Sequence, residues 1–155
     1  SIDQWGKQAE KLGVPGGELN SFAEVFTSEV TDPLTGETRL INNNQVYYFN
    51  VEFRQDVPGT DWAWGGLYER NGRSKYWRLN EKGQETYPPG YAYMFVEHKD
   101  VRGMTATVAV GNLLNQADNF RREIYAPNRL GSVVRVEDRT RRFGPIAIFE
   151  LKGTF

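Results

Sequence analysis

Along most of this chain hydrophobic and polar residues alternate with a period of two, the spacing of strands whose two faces meet different surroundings. Tyr47, Phe49, Val51 and Phe53 alternate with Tyr48, Asn50, Glu52 and Arg54, and Met104, Ala106, Val108 and Val110 alternate with Thr105, Thr107, Ala109 and Gly111. The end repeats the pattern, with Ala147, Phe149, Leu151 and Phe155 on one face and Ile148, Glu150, Lys152 and Thr154 on the other. Turn signals separate the runs: Asp32-Pro33 with Thr35-Gly36, Val57-Pro58-Gly59, Asn71-Gly72, Pro88-Pro89-Gly90 and Arg102-Gly103. The pattern predicts an all-β chain, an antiparallel up-and-down meander of about six long strands near 18–31, 38–56, 61–79, 90–100, 104–126 and 138–155. A break at Asn71-Gly72 and a kink between Asn115 and Asn119 would raise the count to seven or eight. Residues 1–17 read as a loop or short helix, with Ile2, Trp5, Ala9 and Leu12 near one face, ending at Gly13 and Pro15-Gly16-Gly17.

The links between runs are of two kinds. Those at 57–60 and 101–103 are tight, whereas those at 32–37, 80–89 and 127–137 are longer and more polar. Tight turns at one end and long loops at the other describe the wall of an outer-membrane barrel, although alternation by itself also fits a soluble β-sandwich. Composition narrows the choice. Aromatic residues make up 14% of the 155 residues, yet the mean hydropathy is −0.63. Amphipathicity must therefore be short-range. The longest apolar run, Tyr91 to Val96, is far too short for a spanning helix.

The chain opens on Ser1 without a basic, apolar leader, as expected of a processed or excised sequence. With 19 Lys plus Arg against 20 Asp plus Glu, no global field favours nucleic acid. The absence of cysteine excludes disulfides and thiolate metal sites, and the single His98 cannot build a multi-histidine one. Neither a cofactor nor a catalytic constellation is implied.

The run Gly103-Met104-Thr105-Ala106-Thr107-Val108-Ala109-Val110-Gly111-Asn112-Leu113-Leu114 resembles the strand near the end of TonB-dependent outer-membrane receptors. Phe120 to Tyr125, Arg139 to Gly144 and the final Phe149 to Phe155 resemble that family's last strands and terminal aromatic. Upstream, Thr31 to Arg39, Phe53 to Pro58, Asp61 to Gly65 and Glu97 to Asp100 resemble a subgroup of the same receptors, so the likeness covers about residues 17–155. It implies that residues 18–155 are the C-terminal part of a receptor barrel. Such receptors import a scarce ligand: a ferric siderophore, cobalamin or a carbohydrate. The expected partners are outer-membrane lipid and lipopolysaccharide, the barrel-assembly machinery, and a missing N-terminal barrel and plug through which an energy-transducing complex acts. The alternatives are a complete small outer-membrane barrel and a soluble carbohydrate-binding β-sandwich.

Several residues carry site expectations. Phe155, Leu151 and Phe149 resemble the assembly signal of the closing strand. Trp62, Trp64, Tyr91 and Tyr93 fall at strand ends, where interfacial aromatics belong. Glu52, Arg54, Glu150 and Lys152 sit on the polar faces and would look into a lumen. Arg121, Arg122, Arg139, Arg141 and Arg142 form either an anion or lipopolysaccharide patch or a set of ion pairs to neighbouring barrel strands that this chain lacks. A sugar-stacking platform of Trp62, Trp64, Tyr76 and Trp77 is disfavoured, because Tyr76 and Trp77 are adjacent and face opposite sides of a strand. His98, beside Glu97 and Asp100, reads as an interfacial histidine rather than a metal ligand.

Overall fold

The computed structural model describes residues 16–153. The predicted N-terminal helix and the terminal Phe155 lie outside the described residues. Every regular element within them is a strand: β1 (Gly17–Val25), β2 (Glu29–Thr31), β3 (Thr38–Leu40), β4 (Tyr47–Asp56), β5 (Trp62–Asn71), β6 (Ser74–Trp77), β7 (Glu81–Thr86), β8 (Tyr91–Val101), β9 (Met104–Gly111), β10 (Ala117–Ala126), β11 (Ser132–Arg142) and β12 (Ile146–Lys152).

These pieces assemble into six runs that neighbour one another in chain order. One sheet is ordered β1-β4-β5-β8-β9-β12, a second β11-β10-β7-β6, and β2 pairs with β3. Successive pieces (β1 and β2, β3 and β4, through to β11 and β12) belong to the same run, and all pairings are antiparallel. The six-stranded sheet forms a wall, with the tight β4–β5 and β8–β9 turns at its near end. The four-stranded sheet and the β2–β3 hairpin extend it distally. Among the described residues the wall is open, with β1 and β12 as its edges.

The runs expected near 18–31, 38–56 and 138–155 are interrupted at 26–28, 41–46 and 143–145, and two segments expected as loops are strands. The segments 80–89 and 127–137 were expected as loops, but they hold β7 and half of β11, so the connections shrink to 78–80 and 127–131. Glu81 to Thr86 has no apolar period to read; it is a strand because β6 and β10 pair with it on both sides. Likewise β11 is an almost wholly exposed edge strand, defined by its ladder with β10.

Residues hostile to regular strand mark the interruptions between wall and distal sheet. Gly90 and Gly144 have φ of 119° and 75°, and Asn112 and Asn115 are left-handed at 52°. Asn112 stitches this belt together. Its Nδ2 donates to the Gly144 carbonyl at 2.9 Å and its Oδ1 accepts from the Gln116 N–H at 2.8 Å. The Ala117 N–H donates to the Pro88 carbonyl at 2.8 Å, tying the neighbouring run to the same level.

Register sorts the side chains of the wall onto two faces, because paired residues share a face. Trp64, Val96, Val108 and Phe149 form one transverse row, and Leu19, Phe53, Gly66, Met94, Val110 and Ala147 the next. The opposite face carries the rows Glu18, Arg54, Gly65, Phe95, Ala109, Ile148 and Asp56, Ala63, Glu97, Thr107, Glu150. The only buried apolar residues among those described are Ala63, Ala109 and Ala117. The sheets join end to end along shared runs, and no large apolar side chain is buried between them.

Candidate functional site

Three features of the molecule could meet another molecule: the apolar face of the wall, a clasp of distal loops, and a groove on the distal sheet. On the wall, the apolar face is the open one. Trp64, Val96, Val108 and Phe149 are 42%, 48%, 56% and 67% exposed, while Ala63 and Ala109 on the polar face are buried. A water-soluble sheet does the reverse. The polar face carries its own ion pairs. Arg54 binds Glu97 at 2.6 Å and Asp56 at 3.3 Å, Lys99 binds Asp56 at 3.1 Å, and the Arg54 guanidinium lies 5.6 Å from the Phe95 ring centroid. Gly65 is required beneath them, since a Cβ there would fall 2.4 Å from the Phe53 carbonyl oxygen and 2.6 Å from the Phe95 ring.

The clasp is built on Asp32, which opens the 32–37 turn and is 1% exposed. Its Oδ1 accepts from the Leu34 and Thr35 N–H groups at 2.9 and 3.2 Å, the self-bonding turn that aspartate favours. Arg39, across the β2–β3 hairpin, donates to Oδ2 at 2.7 Å, and Arg129 donates to both oxygens at 2.8 Å. The Arg129 N–H also donates to the Leu79 carbonyl at 3.0 Å. One carboxylate thus joins the β2–β3 turn to the β10–β11 loop, and through Arg129 to the β6–β7 turn. The Arg129 guanidinium, opposed by burial and helped by the Leu34 N–H, Arg39 and the Thr35 N–H, holds the Asp32 carboxyl well below the usual carboxylate range. Arg39 also stacks 4.7 Å from the Trp77 ring centroid, and Asn42 bonds both the Trp77 N–H and carbonyl.

Next to the clasp, one face of β6, β7 and β10 forms a groove of about 480 Å³ lined by Lys75, Trp77, Lys82, Gln84, Arg121 and Glu123. These side chains share a face by register, Lys75 with Gln84 and Arg121, and Trp77 with Lys82 and Glu123. Glu123 binds Lys82 at 3.1 Å and Arg121 at 3.5 Å and accepts from the Tyr125 hydroxyl at 2.7 Å. The Tyr125 hydroxyl and then Lys82 lower its pKa, so it is a carboxylate at neutral pH. Arg121 is shared with Asp138 at 3.6 Å. Lys75 forms no ion pair among the described residues.

The sequence-predicted residues fall into place unevenly. Trp62 and Trp64 lie on the exposed apolar face at the near end, and Phe149 and Leu151 lie on that face at the β12 edge. Tyr91 and Tyr93 do not join them. Their partners Glu69 and Leu67 place them on the polar face, and Tyr91 starts β8 beside the interruption rather than at the far end of its run. Parity is the reason: the apolar positions of β8 are Ala92, Met94 and Val96. Glu52, Arg54, Glu150 and Lys152 all share the polar face.

Of the arginines, Arg121 pairs with Asp138 and Glu123, Arg122 with Glu81 and Glu137, and Arg141 with Asp118, while Arg139 stacks on Phe120. Three of the five are thus ion-paired, and their carboxylates come from within the chain rather than from strands outside it, where the pairing alternative places them. Arg142 sits opposite Ala117 at the end of the β10–β11 ladder. His98 packs edge-on to Trp62, ring centroids 4.7 Å apart, on the face opposite Glu97. No cluster of three metal-ligating side chains exists among the described residues. Trp62 and Trp64 stand on the wall and Tyr76 and Trp77 on the distal sheet, so they form no common platform. Sequence reading missed the Asp32 clasp and the groove, although the Asp32-Pro33 turn was a readable sign of the first.

No protein family, no curated protein and no solved structure matches this chain.

Proposed function

We propose that this chain is a wall segment of an outer-membrane β-barrel, in the C-terminal part of a receptor of the TonB-dependent kind that imports a scarce ligand. The observation that carries the reading is the inverted wall. Many of its large apolar side chains stand exposed on one face, ion pairs such as Arg54–Glu97 stand on the other, and its buried apolar residues are alanines. In water that arrangement lacks the apolar burial that holds a sheet domain together. Against hydrocarbon, the Trp64–Val96–Val108–Phe149 row becomes the lipid-facing surface and the Arg54–Glu97 face the lumen wall. The open β1 and β12 edges favour a segment of a larger barrel over a complete small one, since lipid cannot satisfy unpaired strand edges. A sugar-binding sandwich would need two facing sheets with a dry interior.

The test uses adjacent residues on opposite faces. These 155 residues hold no native cysteine, so Val108→Cys and Thr107→Cys each add one labelling site, any cysteine elsewhere in the intact protein being replaced by serine first. With an environment-sensitive fluorophore and the intact protein reconstituted into vesicles of brominated lipid, the label at 108 should be quenched and that at 107 should not. Equal quenching at both positions, or at neither, would overturn the proposal.

A further inference from the structure

We infer that the groove on the distal sheet binds a sugar unit carrying a carboxylate; this deepens the receptor reading and rests on it. The charge balance comes first. Lys75, Lys82 and Arg121 face the groove against one lining carboxylate, Glu123. Asp138, on the same face by register, shares Arg121 but does not line the groove. The groove is cationic, but modestly so. A single carboxylate suits it better than a densely charged phosphate cluster, for which the spare cations are too few. Lys75 is the anchor the argument uses, because it alone of the three cations has no ion pair among the described residues.

The shape and the remaining groups select the body of the ligand. At about 480 Å³ the groove is in the range of small-molecule sites. Trp77 supplies an apolar ring of the type that packs on the C–H face of a pyranose. Asn42 holds its backbone through the N–H and the carbonyl, and the Arg39 guanidinium packs 4.7 Å from the ring centroid, which restrains the side chain before binding. Gln84 and Glu123 are hydrogen-bonding groups suited to hydroxyls. A hydroxyl can donate to Glu123, whereas a bare anionic chelate would only be repelled by it. The clasp matters here too: Asp32 holds Arg39, and Arg39 holds Trp77.

The experiment is calorimetric titration of the full chain in detergent micelles with trigalacturonate, with maltotriose as the neutral comparator and inorganic phosphate as competitor. Trigalacturonate should bind at least tenfold more tightly than maltotriose. Lys75→Gln should weaken it about tenfold, while Lys75→Arg, which keeps the charge, should restore most of the affinity. Equal binding of maltotriose, no binding of trigalacturonate, or an unchanged affinity in Lys75→Gln would overturn the inference. Displacement by millimolar phosphate would do so as well, by reducing the groove to a general anion site. Lipid quenching at position 108 is independent of this titration. Quenching without sugar binding therefore removes only the ligand assignment, and loss of quenching removes the receptor reading itself.

Discussion

Replacing Asp32 should release the distal loops while leaving the wall intact. The Asp32→Ala change removes the acceptor of three short guanidinium bonds and of two backbone N–H bonds at a site 1% exposed. Breaking a buried ion pair by deleting one partner costs about 3–5 kcal/mol. Here the lower end applies, because neither arginine is stranded. Arg39 keeps the Leu40 carbonyl and Asn42, and Arg129 keeps the Arg78 carbonyl. A loss of about 3 kcal/mol, at about 1.4 kcal/mol per tenfold, shifts the local opening equilibrium roughly a hundredfold. Asp32→Asn keeps a side-chain oxygen but not the charge, and about tenfold is expected.

Hydrogen exchange read by mass spectrometry tests this: peptides covering 29–40 and 126–131 should lose protection, and peptides from β8 and β9 should not. No change in the first set, or an equal change in both, would refute the clasp as a local device. The pH dependence follows from the same geometry. A carboxyl whose folded pKa is depressed contributes stability that is complete above its unfolded pKa, near 3.9, and is lost as pH falls through the folded value. Because Asp32 is held well below the usual range, the clasp should stay closed from pH 7 to pH 5 and open only in strong acid.

Three further outcomes are expected. Asn112→Ala removes two hydrogen bonds from a buried side chain and places alanine at a φ of 52°, so it should cost about 2–3 kcal/mol, read as a lower thermal midpoint by circular dichroism in micelles. Gly65→Ala drives a methyl into the Phe53 carbonyl and the Phe95 ring, with an expected loss of about 1–3 kcal/mol in urea unfolding. Val108→Arg should destabilise the protein in vesicles by about 2–4 kcal/mol, and Thr107→Arg on the opposite face by clearly less; equal losses would argue against a lipid-facing row.

Much of the wall was legible because its signal is local. Alternation at Tyr47 to Arg54 and at Met104 to Gly111 marks strands, and the Pro-Gly and Arg-Gly turns mark the tight end. The order of six neighbouring runs follows from hairpin connectivity. The distal sheet was less legible where its strands lack an apolar alternation. Glu81 to Thr86 carries no hydrophobic period, and only pairing to β6 and β10 makes it a strand. The clasp was harder still, since its two ends are 97 residues apart and nothing in either segment names the other. Tyr91 and Tyr93 were misplaced for a simpler reason. Their position near a turn signal was read, but the parity of the strand was not.

Wall and distal sheet share the same six runs yet are held by different forces, and the division explains where the molecule can be rigid. On the proposed barrel reading, hydrocarbon against Val96, Val108 and Phe149 would supply the burial that the wall does not supply itself. The distal sheet has no such support. Its cohesion comes from ladder hydrogen bonds and from ion pairs such as Arg122 with Glu137 and Glu81, or Arg141 with Asp118, most of them partly open to solvent. Exposed pairs contribute little individually and weaken with salt. A rigid distal surface therefore depends most on the cluster in which both partners are shielded, with Asp32 1% exposed and Arg129 9%. That cluster lies beside Trp77, through Arg39, rather than at a random point of the sheet. The expense of burying a carboxylate is thus concentrated beside the Trp77 ring, and the Asp32–Arg39–Arg129 contacts should outlast at raised salt the exposed Lys82–Glu123 and Arg121–Glu123 pairs of the groove.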